Sequence, residues 1–348
     1  MEIRDLLLMC IEKSASDLHL TEDEPPILRV DGSLLRTNKD LLTRLDLKKM
    51  LYSVLSNSQK EIFERELELD FSLALPGLDR FRVNIHLQRG SVEGAFRRIP
   101  IEIPTVDKLG LPKIVSDLAR KPNGLVLVTG PTGMGKTTTL AAMIDLINTE
   151  RECLITCIED PIEFIYTNKK SVVKQREVYS DTHSFSEALR HTLRQDPNVI
   201  VVAEMRDLET ISTALTAAET GHLVLATLHT PDAPQTVSRI IDVFPAHQQQ
   251  QVRLQFSDCL QGVVSQLLLP HASGKGRVLA TEVMVATASV RNVIREQQVE
   301  QILTIMQTGS QYGMNTMDKS LKDLMQKGLI TLDMAMSKAK NREEFKQL

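Results

Sequence analysis

The residues best equipped for chemistry are Gly130-Pro131-Thr132-Gly133-Met134-Gly135-Lys136-Thr137, with Thr138 directly behind them. Glycines at 130, 133 and 135 permit backbone conformations closed to bulkier residues. Successive N–H groups and a helix N-terminus can then point at one polyphosphate. At this spacing Lys136 reaches the β- and γ-phosphates as a point charge, and the Thr137 hydroxyl is placed to ligate Mg2+. Met134 sits at a variable position of the pattern and carries little information. Such a loop binds a nucleoside triphosphate, ATP being the expected one. Hydrolysis needs two further parts, a carboxylate on the metal side and a means of orienting water.

Candidates for both parts lie downstream. Asn198-Val-Ile-Val-Val-Ala-Glu204 reads as a buried strand that delivers a carboxylate at its C-terminal end, where open α/β sheets place ligands. Glu204 can hold Mg2+ through water or polarise the attacking water. Ile158-Glu-Asp-Pro-Ile-Glu-Phe164 ends another strand and puts Glu159, Asp160 and Glu163 into one turn. Three carboxylates that close repel one another unless a cation balances them, and Glu163 is the candidate general base; a solvated acidic turn is the plainer alternative. His222 and His229 bracket a third strand. Their seven-residue spacing puts them near opposite ends of it, which excludes a shared metal. A histidine at the catalytic end can hydrogen-bond a γ-phosphate or a neighbouring carboxylate, and a structural role for either is equally open. Arg80, Arg82, Arg97 and Arg98 crowd two strands nearer the N-terminus. Arg80 and Arg82 share a face by the period-two rule, so a neighbouring chain's phosphate can meet both; exposed charges on a half-buried sheet are the alternative.

Positioning these groups requires a parallel sheet. Leu125–Val128, Leu154–Ile158, Val199–Ala203 and Leu223–Ala226 are apolar runs separated by amphipathic segments, which implies an α/β core with helices on both faces. Beyond Pro245 helical patterns dominate, interrupted by a Gly274-Lys-Gly276 turn and one strand, Arg277–Val285. Upstream, residues 2–13 read as an amphipathic helix. Residues 15–20 and 27–32 read as strands, the second ending in Asp-Gly, a hairpin signal. Leu45–Glu66 is helical in pattern, and Asp70–Leu75, Arg80–Leu87 and Gly94–Ile99 restore strand character. The organisation expected is an α+β domain over 1–99, a proline-marked linker over 100–122 with a short helix, and an α/β domain with a helical C-terminal part over 123–348.

Composition narrows the function classes. The chain has 348 residues, 42% hydrophobic and 25% charged, with a net charge of −4, so nothing global favours nucleic acid. Aromatics make up 4%, with no Trp, which removes the stacking platforms of single-strand binders. Cys10, Cys153, Cys157 and Cys259 are scattered and read as buried thiols of a reducing compartment. Glu2 and Asp5 make the N-terminus unlike a signal peptide, and no apolar stretch approaches the ~18 residues of a membrane span. A cytoplasmic protein without direct membrane insertion is expected.

Taken in order, Ala-Ser-Asp-Leu-His-Leu at 15–20, Arg-Phe-Arg-Val-Asn at 80–84, the loop at 130–137, the acidic box at 158–164, Gln-Arg-Glu at 175–177, Glu-Met-Arg-Asp at 204–207 and the histidine box at 219–230 resemble the secretion-type hexameric ATPases of type II secretion and type IV pili. The resemblance runs along almost the whole chain. It implies a PAS-like N-terminal domain joined to a RecA-like P-loop NTPase core, a homohexameric ring, and ATP held between the two domains. Lys136, Thr137, Glu163, Glu204, His222 and His229 carry over to the family's nucleotide site, completed by arginines of the first domain, Arg82 and Arg97.

The branch indicated is pilus retraction. The four-cysteine module and longer N-terminal extension usual in assembly and secretion members are missing, and Ser289-Val-Arg-Asn-Val-Ile-Arg-Glu296 is similar to the retraction branch's Ala-Ile-Arg-Asn-Leu-Ile-Arg-Glu. Val290, Val293 and Ile294 give that segment an apolar face, with Arg291, Asn292 and Arg295 outward. Ala203, Thr137 and Ser289-Val290 depart from the family's usual Gly, Ser and Ala-Ile. The implied partners are an inner-membrane pilus platform protein, where the motor would sit on the cytoplasmic face, and a second pilus ATPase. The rival readings are a pilus-assembly or type II secretion ATPase, a weakly hydrolysing ATP-binding adaptor of another pilus motor, and, more remotely, a nucleic-acid translocase.

Overall fold

The computed structural model describes residues 2–30, 32–74, 79–99 and 102–346. Asp31, Leu75, Pro100 and Ile101, on which parts of the expectations above rest, lie outside that set. The chain divides into two compact units, Met1–Glu102 and Ile103–Leu348.

The first unit runs α1 (Ile3–Glu12), β1 (Asp17–Leu20), β2 (Ile27–Val30), β3 (Ser33–Arg36), α2 (Arg44–Ser53), α3 (Asn57–Glu66), β4 (Glu68–Ala74), β5 (Arg80–Gln88) and β6 (Ser91–Ile99). Its six strands form an antiparallel sheet in the order β3-β2-β1-β6-β5-β4. Phe81, Val83 and Ile85 of β5 alternate inward onto a core shared with Leu6, Leu7, Leu47, Leu51 and Phe63 of the helices. The intervening polar residues take the other face, as a one-sided sheet requires. At Gly94 an added Cβ would stand 2.7 Å from Leu51, so the glycine is what lets α2 lie against β6.

The hairpin signalled at the end of β2 is present: β2 pairs antiparallel with a third strand, β3, whose residues are all exposed and therefore carry no hydrophobic alternation. One expectation here is corrected. Leu45–Glu66 is two helices. Ser56 accepts a hydrogen bond from Gln59 N–H at 3.3 Å while Gln59 Oε1 accepts from Ser56 N–H at 2.9 Å, a capping box that starts α3 afresh. Ser56→Ala is expected to lower the stability of this unit by about 1 kcal/mol, read as a shift in urea midpoint at unchanged slope.

The second unit continues with α4 (Lys113–Ala119), β7 (Gly124–Thr129), α5 (Lys136–Glu150), β8 (Leu154–Glu159), β9 (Val172–Glu177), α6 (Phe185–Thr192), β10 (Val199–Val202), α7 (Leu208–Glu219), β11 (Leu223–Leu228), α8 (Ala233–Asp242), α9 (Ala246–Cys259), β12 (Leu260–Pro270), β13 (Arg277–Val285), α10 (Ala288–Arg295), α11 (Ile302–Thr308), α12 (Met317–Gln326) and α13 (Leu332–Lys338). The sheet order is β13-β12-β7-β11-β10-β8-β9, parallel except for β13 at one edge. Val126 and Val128 of β7 face Met143, Ile144 and Ile147 of α5 on one side. Leu125 and Leu127 face α7, α8 and α9 residues on the other. Val106, Leu111, Val115 and Leu118, within the stretch read as linker, are buried in the same core as α5.

Strands β9 and β12 add to the four parallel strands expected. β12 is an eleven-residue strand between β7 and β13, buried on both faces over most of its length. Such a strand has no period-two signature and follows directly on a helix, so its apolar run merges with the helical pattern before it. The C-terminal helices are fastened to the β12–β13 hairpin by polar contacts. Thr281 N–H donates to Ser320 Oγ at 3.0 Å, and the buried Glu282 carboxylate accepts from Ala233 N–H at 2.9 Å and Met317 N–H at 3.4 Å.

Candidate nucleotide site

The fully buried β7 ends at Thr129 and the chain turns into the glycine loop, which feeds α5 with Gly135 as its N-cap. Gly130 has φ +141° and an added Cβ would stand 2.4 Å from the Gln266 carbonyl of β12; Gly133 and Gly135 lie at φ +80° and +79°. Only glycine fits position 130, because a backbone passes where a side chain would begin. Gln266 Nε2 also donates to the Met134 carbonyl at 2.6 Å, and Leu268 N–H points at the Met134 sulfur at 3.2 Å. Position 134, uninformative in the pattern, is therefore a point at which β12 braces the loop. Gly130→Ala is expected to destabilise this unit by about 2 kcal/mol, measured by urea unfolding.

Lys136 is nearly buried, with Nζ donating to the carbonyls of Gly130 at 2.8 Å and Pro131 at 3.0 Å. Burial lowers its pKa, opposed by the charges of Glu204 and Glu163. A cleft of about 390 Å3 opens in front of it, lined among others by Thr137, Asp160, Glu163, Glu204 and His229. Parallel register brings these groups together: Val202 pairs with Ile158 and with Ala226, and Leu228 with Thr129, so the strands release their loops at one sheet edge.

Glu204 is the most engaged of them. Oε1 accepts from Arg206 Nε at 2.5 Å and lies 2.8 Å from His229 Nε2, while Oε2 accepts from Arg206 Nη2 at 2.7 Å. Burial pushes its pKa up, but the Arg206 hydrogen bonds and the nearby positive charges more than offset this and hold it below the usual carboxylate range. His229 Nδ1 is 3.3 Å from the Thr132 hydroxyl, so this imidazole spans from the phosphate loop to the carboxylate.

The acidic turn divides. Asp160 and Glu163 line the cleft, whereas Glu159 is buried and accepts from Gln175 Nε2 at 2.8 Å. Burial raises the Glu159 pKa to about 7 despite hydrogen bonds that pull it down. A folded-state pKa above the unfolded value contributes stability that is present below the ordinary carboxylate pKa and is lost as pH rises through about 7. Glu159→Gln is accordingly expected to flatten the decline of stability between about pH 5 and pH 8, measured as urea midpoint against pH.

His222 is not part of this cleft. It precedes β11, its carbonyl bonded to Gly124 N–H and its Nδ1 3.0 Å from the Ala217 carbonyl. The strand runs from there to His229, a span of roughly 20 Å. Its expected place beside the nucleotide is therefore corrected: it stands where β7 starts, and the phosphate loop is where β7 ends. Arg82 and Arg97 belong to the first unit, paired across β5 and β6 on its polar face. In the next strand Asp17 pairs with Arg97 and accepts from its Nε at 2.9 Å, so Arg82, Arg97 and Asp17 form a cross-strand row. Arg291, expected to face outward, turns back instead, Nε donating to the Ala286 carbonyl at 3.0 Å and Nη1 to the carbonyls of Ser257 and Asp258. Arg295 donates to Ser257 Oγ at 3.0 Å and pairs with Asp258; together the two arginines tie α10 to the last turn of α9, whose terminal carbonyls lack helical partners.

Sequence reasoning missed Arg206, Gln266 and Arg277, the last of which also lines the cleft. Arg206 had a signal in standing two residues beyond Glu204. The other two lie on β12 and β13 and needed the sheet order. Among the described residues no group of three or more His, Cys, Asp and Glu side chains can hold a metal by itself. The cleft nevertheless suits Mg2+, a hard ion that binds through one or two protein oxygens, waters and substrate phosphates; Thr137 and Glu204 are such donors. Among the described residues no helix is long and apolar enough to cross a membrane.

A glycine loop between a buried parallel strand and a helix, with carboxylates at the ends of neighbouring strands, defines a P-loop nucleotide-binding core. Comparison with known proteins narrows the class: the family model for type II/IV secretion system proteins matches residues 2–337, and the chain belongs to that family. It is 49% identical over 345 residues to the type IV pilus retractation ATPase PilT of Pseudomonas aeruginosa, covering 99% of this chain and 100% of that one. It is 48% identical over 320 residues to a twitching motility protein of Neisseria gonorrhoeae, covering 92% and 86%. Among solved structures, the pilus retraction motor PilT with bound ADP superposes with a TM-score of 0.94 at 47% identity, covering 100% of both chains.

Proposed function

We propose that this chain is an ATP-hydrolysing motor that retracts a type IV pilus, the basis of twitching motility. The observation that carries the chemistry is the convergence of Lys136, Thr137, Glu163, Glu204 and His229 on one cleft. Likeness along the full length to retraction proteins supports the branch.

In this reading the N–H groups of residues 130–138 receive the phosphates, and Lys136 turns from the Gly130 and Pro131 carbonyls toward them. Bound Mg2+ would supply charge neutralisation between the phosphates, held by Thr137 and, through water, by Glu204. Glu163 takes the proton of the attacking water, and His229 reports the γ-phosphate to Glu204. Arg82 and Arg97, in a PAS-like first unit, complete the site of a neighbouring subunit in a homohexameric ring. The ring works on the cytoplasmic side against an inner-membrane platform protein, with a second pilus ATPase as a further partner.

The deciding experiment counts surface pili by electron microscopy in cells lacking the gene, with and without a Glu204→Ala copy. Excess pili and lost motility, unrepaired by the variant, are expected. Bald cells would instead indicate an assembly or secretion motor, and a wild-type protein without steady-state ATPase activity would indicate an adaptor.

A further inference from the structure

Glu204 is heavily committed for a group that must handle water. A carboxylate offers about four lone-pair positions, and three are taken here, two of them by the single guanidinium of Arg206. The two partners differ in their freedom. The Glu204 side chain is 19% exposed and that of Arg206 is 73% exposed, so no packing holds the arginine in place. The backbone on either side of it is fixed: Met205 N–H donates to the Thr227 carbonyl at 3.1 Å, and Asp207 caps α7 by accepting from Thr210 N–H at 2.8 Å. The Arg206 side chain can therefore exchange partners without the backbone moving. A terminal phosphate in front of Glu204 offers two of its three oxygens to the same guanidinium fork, with greater charge.

We propose that Arg206 senses the γ-phosphate, neutralising Glu204 when the cleft is empty or holds a diphosphate and turning to the terminal phosphate of a triphosphate, which frees the carboxylate. Arg206 thereby ties release of the Glu204 carboxylate to the presence of the bond to be broken and suppresses idle chemistry with diphosphate bound. This rests on the nucleotide reading of the cleft.

The test measures binding of Mg·ADP and of a Mg-bound ATP analogue with a non-hydrolysable β,γ-imido link, by calorimetry, to wild type, Arg206→Ala, Glu204→Gln and the double variant. Arg206→Ala is expected to reduce the preference for the analogue over ADP about tenfold. Glu204→Gln should raise that preference, because the arginine no longer has a charged competitor, and the gain should vanish in the double variant. An unchanged preference in Arg206→Ala, even with both nucleotides weakened, would reduce Arg206 to an anchor of Glu204 and overturn the proposal. A Glu204→Gln gain that survives in the double variant would overturn it as well. Wild-type protein that binds neither nucleotide would remove the nucleotide reading itself, and the proposal with it.

Discussion

Glu204→Gln is expected to lower steady-state ATP turnover by about 10²- to 10⁴-fold while nucleotide binding persists. The amide keeps the shape of the side chain, but it has no charge with which to polarise water or hold a hydrated metal ion. His229 and Arg206 lose their anionic partner, yet the loop from Gly130 to Thr137 and its brace from β12 do not touch this position. Phosphate release and fluorescent-nucleotide titration on the same preparation separate the two effects. Turnover near the wild-type level would sink the assignment of Glu204 and shift the chemistry to Glu163.

Lys136→Ala should act at the opposite step, weakening ATP and ADP alike by about 10²-fold or more, since a charge-assisted contact to phosphate disappears. The Lys136 ammonium is bonded to the Gly130 and Pro131 carbonyls, so alanine leaves two acceptors of the loop unpaired. A urea unfolding curve of the variant distinguishes a lost ligand contact from a collapsed loop. Affinity retained in a folded variant would contradict the phosphate-binding role. The contrast between the two variants, one binding without turning over and the other not binding, is the signature expected of this cleft.

What the sequence disclosed follows from how local each feature is. The phosphate loop is contiguous, and its glycines answer to backbone geometry that any eight-residue window reveals. Glu204 could be placed at a strand end from the apolar run before it. Its contact with His229 depended on β10 and β11 being neighbours, which a parallel α/β pattern makes natural. β12 escaped because its apolar run follows directly on α9 and merges with the helical pattern before it. With it went the reason Gly130 must be glycine and the role of Met134. His222 was misplaced by likeness, although its distance from His229 along the strand already set the two at opposite ends. The break at Ser56 was legible as Ser-x-x-Gln, but the hydrophobic positions on either side continued the helical period and masked it.

The brace from β12 also has a mechanical meaning. The Gln266 carbonyl fills the space that a side chain at position 130 would need, and the same strand continues into the hairpin whose other arm bonds Ser320 and Met317 of α12 through Thr281 and Glu282. Gln266 and Thr281 face each other in that ladder, so the phosphate loop and α12 are held by paired residues of one hairpin.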